Sequence, residues 1–119
     1  MSRRPMGSLE AAVLDVLWDS DDPLKPGDVL DRLDIDPAVA YSTVLTILRR
    51  LWKKRLVTRS RVGKAYLYRP TRSREEQVAE AMADAFAAAG DPAVALGHFV
   101  EHLSADQTSA LKRLLGRRR

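Results

Sequence analysis

The chain has 119 residues, 45% apolar and 30% charged, with no cysteine and a net charge of +4. This suits one folded domain, or one small domain with an appendage, and argues against wholesale disorder, a large enzyme or a repeat array. The lack of cysteine removes disulfides, thiolate metal sites and thiol chemistry. Met1 to Gly7 lacks the apolar run of a signal peptide, and no stretch approaches the ~20 apolar residues of a membrane span, so a cytoplasmic location without membrane insertion is expected.

Leu9, Val13, Leu14, Val16 and Leu17 recur at helical spacing and predict a first helix over about Leu9 to Asp19, with Ser8 as its N-cap. Ser20 to Pro23 break it. Pro26 suits the first turn of a short second helix ending near Leu33, with Val29, Leu30 and Leu33 inward. Asp34 to Pro37 reads as a turn. A third helix is expected over roughly Ala40 to Lys54, with Val44, Ile47, Leu48 and Leu51 as its apolar stripe. Trp18 and Trp52 each extend an apolar stripe and are expected to anchor the core or a domain contact.

After Leu56 the period becomes alternating. Val57, Arg59 and Arg61 lean one way, and beyond a turn containing Gly63 a second strand runs through Tyr66 to Arg69, ended by Pro70. The hairpin tip, Arg61 to Lys64, is basic. A helix with Val78, Met82, Ala85, Phe86 and Ala89 follows, closed by Gly90 as a C-terminal cap. Asp91 and Pro92 open another helix, and Ser104 with Gln107 has the capping-box spacing for a last one before the basic tail Arg117 to Arg119. The expected fold is mainly α with a small β-hairpin. Residues 1–72 would form an N-terminal winged helix-turn-helix domain and residues 73–119 a C-terminal helical dimerisation region.

Charge is sharply segregated along this frame. Between Pro37 and Arg74 stand eleven basic residues and no acid, whereas nine acids fall between Glu10 and Asp36 and seven between Glu75 and Asp106. Such a field attracts nucleic acid or another anionic surface. On the third helix, the face opposite the apolar stripe carries Ser42, Thr43 and Thr46, then Arg49, Arg50 and Lys53. Short hydroxyls followed by long cations suit a recognition helix whose first turns enter the major groove while later residues reach phosphates. Leu45, on the outward side, could meet a thymine methyl. Tyr41 is either a contact near the DNA backbone or a packing staple. The hairpin cations Arg59, Arg61 and Lys64 would follow a neighbouring phosphate path or minor groove. The same surface could instead dock an acidic protein partner, as a winged-helix interaction module.

The helices after Arg74 are too small to stand alone with ease. Their apolar residues Met82, Phe86, Leu96, Phe99, Val100, Leu103, Leu111 and Leu115 exceed what one recognition domain can cover, so symmetric pairing into a homodimer is expected. Two half-sites about one helical turn apart would then be read together. His98-Phe99-Val100-Glu101-His102 fits the H-x-x-E-H zinc pattern, but the motif alone is weak, and a catalytic zinc needs a third protein ligand. No nucleophile constellation or phosphate loop appears. Neither enzyme activity nor a cofactor or metal is expected.

The run Ala40-Tyr41-Ser42-Thr43-Val44-Leu45-Thr46-Ile47-Leu48-Arg49-Arg50-Leu51, followed by Lys53-Lys54, resembles the recognition helix of the penicillinase-repressor (BlaI/MecI) family. Leu9 to Trp18 is similar to that family's opening helix, and Tyr66-Leu67-Tyr68 to the second strand of its wing. The resemblance implies a homodimeric repressor binding a palindromic operator. Base or groove contacts would fall to Ser42, Thr43, Leu45, Thr46 and Arg50, and backbone contacts to Arg49, Lys53 and the wing. It further implies inactivation by a sensor-linked protease within the dimerisation region, at the bond between His98 and Phe99. The best-known members have an asparagine where this chain has His98. Copper-responsive relatives use a cysteine cluster, which this chain lacks.

Overall fold

A computed structural model of the chain describes residues 6–118. The remainder, which includes the basic stretch before Met6 and the last arginine of the expected tail, lies outside the described residues. The elements are α1 (Met6–Trp18), α2 (Pro26–Arg32), α3 (Tyr41–Lys53), β1 (Val57–Val62), β2 (Ala65–Pro70), α4 (Arg74–Ala87), α5 (Pro92–Glu101) and α6 (Ala105–Arg117). They fall into two units that divide between Gln77 and Val78.

The first unit is built on the apolar stripe of α3. Val44, Ile47, Leu48 and Leu51 are fully buried against Val13, Leu14 and Leu17 of α1, Val29 of α2, and Leu24, Val57 and Tyr68. A 13-residue helix is marginal in water by itself. Burial of each such side chain, worth about 1.5–3 kcal/mol, stabilises it in place. Strands β1 and β2 pair antiparallel from Val57↔Pro70 to Val62↔Ala65. The hairpin is tied to the chain before α2 by the isolated bridge Leu24↔Tyr68, whose backbone groups exchange hydrogen bonds of 2.9 and 2.8 Å. The wing thus stands on the helical core by its buried base, Val57 and Tyr68.

Helix ends follow their local chemistry, with two corrections to the sequence reading. Helix α1 begins by Met6, so Ser8 lies inside it instead of capping it. Once a helix exists, each added residue gains a backbone hydrogen bond, and propagation here outweighs the cap. Helix α4 ends at Ala87, where the amides of Ala88 and Ala89 donate to Ala85 and Phe86 in tight i→i−3 turns. Gly90 does not close it in the left-handed conformation; among the described residues only Gly63 is a glycine with positive φ. The expected caps at Asp91 and Ser104 are present. The Asp91 side chain accepts from the Val94 amide, and Ser104 and Gln107 exchange side-chain-to-backbone bonds of 3.1 and 2.9 Å.

The helix α3 stop is a Schellman motif without glycine. Arg55 sits at φ 64°, its amide donates to the Trp52 carbonyl, and the Leu56 amide donates to the Leu51 carbonyl at 2.9 Å. This places Leu56 on the core and starts β1 one residue later. In the second unit no residue of α4, α5 or α6 is buried.

Candidate nucleic-acid interface

The polar side of α3 is open. Ser42, Thr46, Arg49, Arg50 and Lys53 are exposed, while Thr43 and Leu45 are half-buried. Thr46 Oγ1 donates to the Ser42 carbonyl one turn back at 3.0 Å. Its hydroxyl is therefore held along the helix, with the oxygen's lone pairs still able to accept. Beside this face lies a groove between α2, α3 and the hairpin, lined among others by Lys25, Tyr41, Leu45, Arg49, Lys64 and Tyr66. Tyr41 is itself exposed and belongs to the groove wall.

The wing tip is a two-residue turn. Val62 pairs with Ala65, and Gly63 takes φ +62° at the first turn position, while Lys64 does not share a positive φ. That is the pattern of a II′ hairpin turn, in which only the first position demands glycine. Arg61 Nε donates to the Gly63 carbonyl at 3.2 Å, and Lys64 is exposed at the tip beside Val62, an apolar side chain that the sequence reading did not single out.

Arg59 lies against two aromatic rings, whereas Arg61 approaches Tyr66 alone, at 5.9 Å from its centroid. The Arg59 guanidinium carbon lies 3.7 Å from the Trp52 ring centroid and 4.2 Å from that of Tyr66. Trp52 is 40% exposed and outside the core, which corrects the expectation that it anchors the core. Its partner is a stacked cation, and that contact takes the place of burial. Trp18 does pack against the core, and its Nε1 donates to the Arg72 carbonyl at 2.9 Å.

Lys54 and Arg74, at the edges of the recognition surface, are paired with acids of α1. Lys54 Nζ lies 2.9 Å from Glu10, and Arg74 lies 3.4 Å from Asp15 and 3.2 Å from Asp19. The hydrogen bond that Arg74 donates to Asp19 is the chief cause holding its guanidinium still further in the charged form. These pairs reach across 44 to 59 positions of sequence, so no local pattern announces them.

In the second unit Met82, Phe86, Leu96, Phe99, Val100 and Leu115 are exposed, and Leu103 and Leu111 are half-buried. Val94, which the sequence reading passed over, is exposed with them. His98 is exposed on α5, and the nearby ring atom Nδ1 of His102 lies 2.8 Å from the His98 carbonyl. A carbonyl only accepts, so this nitrogen carries the proton in that contact. Among the described residues no group of three His, Cys, Asp or Glu side chains is gathered to hold a metal, and no helix is long and apolar enough to cross a membrane.

Three packed helices, a two-stranded wing and an acid-free polar helix face beside it define a winged helix-turn-helix DNA-binding regulator. The penicillinase repressor family model matches residues 6–117, and the chain belongs to that family. It is thus a DNA-binding transcriptional repressor and not an enzyme. Two relatives, each called transcriptional regulator BlaI, from Mycobacterium tuberculosis strains CDC 1551 / Oshkosh and ATCC 25618 / H37Rv, are 43% identical over 113 residues, covering 92% of this chain and 82% of theirs. The solved PcaV transcriptional regulator of Streptomyces coelicolor, in complex with its natural ligand, aligns with a TM-score of 0.47 and 23% identity over 92% of this chain and 72% of that one. That likeness is too distant to bear on function.

Proposed function

We propose that the chain works in the cytoplasm as a homodimer that holds a palindromic operator and is released from it by proteolysis between His98 and Phe99. The observation that carries the reading is the two-sided character of α3: a fully buried apolar stripe on one side and exposed hydroxyls and cations on the other. Ser42, Thr43, Leu45, Thr46 and Arg50 are assigned to groove contacts, and Arg49, Lys53, Arg61 and Lys64 to phosphates. Pairing is supported by the exposed Met82, Phe86, Leu96, Phe99, Val100 and Leu115 in helices without a buried residue. Leu103 and Leu111 extend the same set. Residues 1–72 act as the DNA-binding domain and residues 73–119 as the dimerisation region.

The His98–Phe99 bond lies within α5, so cleavage needs local unwinding of that short helix. The deciding experiment is a footprint of the purified protein on the promoter region of its own gene. Protection of an inverted repeat is expected; uniform, sequence-independent protection or none would remove the operator reading and favour docking to an acidic protein.

A further inference from the structure

We infer that Arg59 is a positioning residue: through Trp52 and Tyr66 it fixes the angle of the wing on the recognition helix, instead of serving as one more phosphate contact. The inference rests on the DNA-binding reading and assigns Arg59 a role within it. Arg59 follows buried Val57 by two positions, so both lie on the strand face turned toward α3. Val57 and Tyr68 seat the base of the hairpin in the core. One step outward, where the core has ended, the Arg59 guanidinium meets the Trp52 ring from α3 at 3.7 Å and the Tyr66 ring from β2 at 4.2 Å. Arg59 thereby links both strands of the wing to the C-terminal end of α3 beyond the core.

An isolated two-stranded hairpin is marginally stable in water, so whatever grips it beyond its base decides where its tip points. From Arg59 to Gly63 is roughly 13 Å at ~3.4 Å per residue, and a tilt of about 15° there displaces the tip by about 3 Å. That displacement exceeds the tolerance of a hydrogen bond. Arginine suits this task where lysine does not, because a planar guanidinium stacks on aromatic rings and an ammonium is a point charge. The same groups bound two grooves, one lined by Leu45, Arg49 and Lys64 and the other by Lys53 and Arg55, with Arg59 common to both. Loosening the stack would therefore disturb the wing and the helix face together.

The test uses the full chain with the substitutions Arg59→Lys, Arg59→Gln and Trp52→Leu, and with Arg59→Lys and Trp52→Leu together. In DNA-free protein, amides of the wing are followed by hydrogen exchange; on operator DNA, affinity is followed across a salt series. Each single substitution is expected to speed wing exchange and to weaken binding about tenfold. The slope of log affinity against log salt should change by less than half of the ~0.9 that loss of one phosphate contact brings, and the double substitution should be no worse than either single one. Trp52 lies outside the core, so its loss should leave the fold intact, and Arg59→Lys repeats the test without touching an aromatic ring. Full affinity in Arg59→Lys, together with a slope reduced by about 0.9 in Arg59→Gln, would make Arg59 a phosphate ligand and overturn the inference. Unchanged wing exchange, or additive losses in the double substitution, would overturn it as well. If the unsubstituted protein binds no DNA, the functional reading falls, while the exchange measurement still decides whether the stack holds the wing.

Discussion

The indole of Trp18 donates to the backbone carbonyl of Arg72 at 2.9 Å, joining the last residue of α1 to the segment that leaves the wing. This bond closes the first unit: the chain enters through α1 and, after the hairpin, returns to it, with Arg74 pairing to Asp15 and Asp19 just beyond. Replacing Trp18 with Phe keeps most of the packing and removes the donor. A loss of about 0.5–1.5 kcal/mol in stability is expected, with operator affinity of the folded protein unchanged. Urea denaturation beside a DNA titration checks this; an affinity loss larger than the stability loss would mean that Trp18 shapes the interface.

Counting basic residues overstates how many phosphates the protein neutralises. Lys54 and Arg74 already face acids of α1, whereas Lys64 projects from the wing tip. Lys64→Gln should flatten the salt dependence of binding by about 0.9 in log–log slope, and Lys54→Gln by less than half of that. Exposed pairs of this kind are worth little by themselves. Equal slopes for the two variants would show that DNA draws Lys54 away from Glu10.

Arg55 holds a left-handed conformation at the C-terminal end of α3, where a side chain is strained and glycine is not. Arg55→Gly should raise stability by about 0.5–1 kcal/mol once the greater freedom of glycine in the unfolded chain is subtracted. Thermal unfolding reads the gain directly. A drop in stability would mean that the arginine makes compensating contacts through its stem.

Much of this fold was readable in the sequence where the information is local. The spacing of Val44, Ile47, Leu48 and Leu51 located α3 to within a residue, and Asp91-Pro92 and Ser104-x-x-Gln107 marked the starts of α5 and α6. The box Ser73-x-x-Glu76 was equally visible and passed unread; its partners exchange bonds of 2.9 and 3.1 Å at the start of α4. What stayed hidden depends on the tertiary fold. Nothing near Trp52 in sequence says that Arg59 will lie on its ring, and Arg55 carries no glycine to signal its turn. Within the candidate interface, residue types were legible, but which cations pair with the chain's own acids was not.

The Ser73 backbone amide, and then its hydroxyl, hold the Glu76 carboxyl below the usual glutamate range. A carboxylate lowered in the folded state contributes above its unfolded pKa, and the contribution is lost as pH falls through the folded value. The start of α4 should therefore loosen on acidification below about pH 4, seen as Cα chemical shifts of residues 74–77 moving toward coil values. Glu76→Gln can still accept from the Ser73 amide and should abolish that pH dependence. A persisting acid transition in the variant would assign it to another group.

Phe99 is exposed on α5 in a unit with no buried helical residue. If pairing covers it, Phe99→Asp places a charge in an apolar contact, which costs several kcal/mol. Sedimentation should then show monomers at concentrations where the parent chain is paired, and operator binding should become weak and lose its cooperativity with concentration. A variant that remains dimeric would move the contact to another face of the three helices.

The outward position of Trp52 also turns the molecule into its own optical instrument. The chain has two tryptophans, one packed on the core and one at the foot of the wing. With Trp18→Phe, the remaining indole emission comes from the boundary between recognition helix and hairpin, so quenching during a titration would time the arrival of a duplex at that boundary without any attached dye.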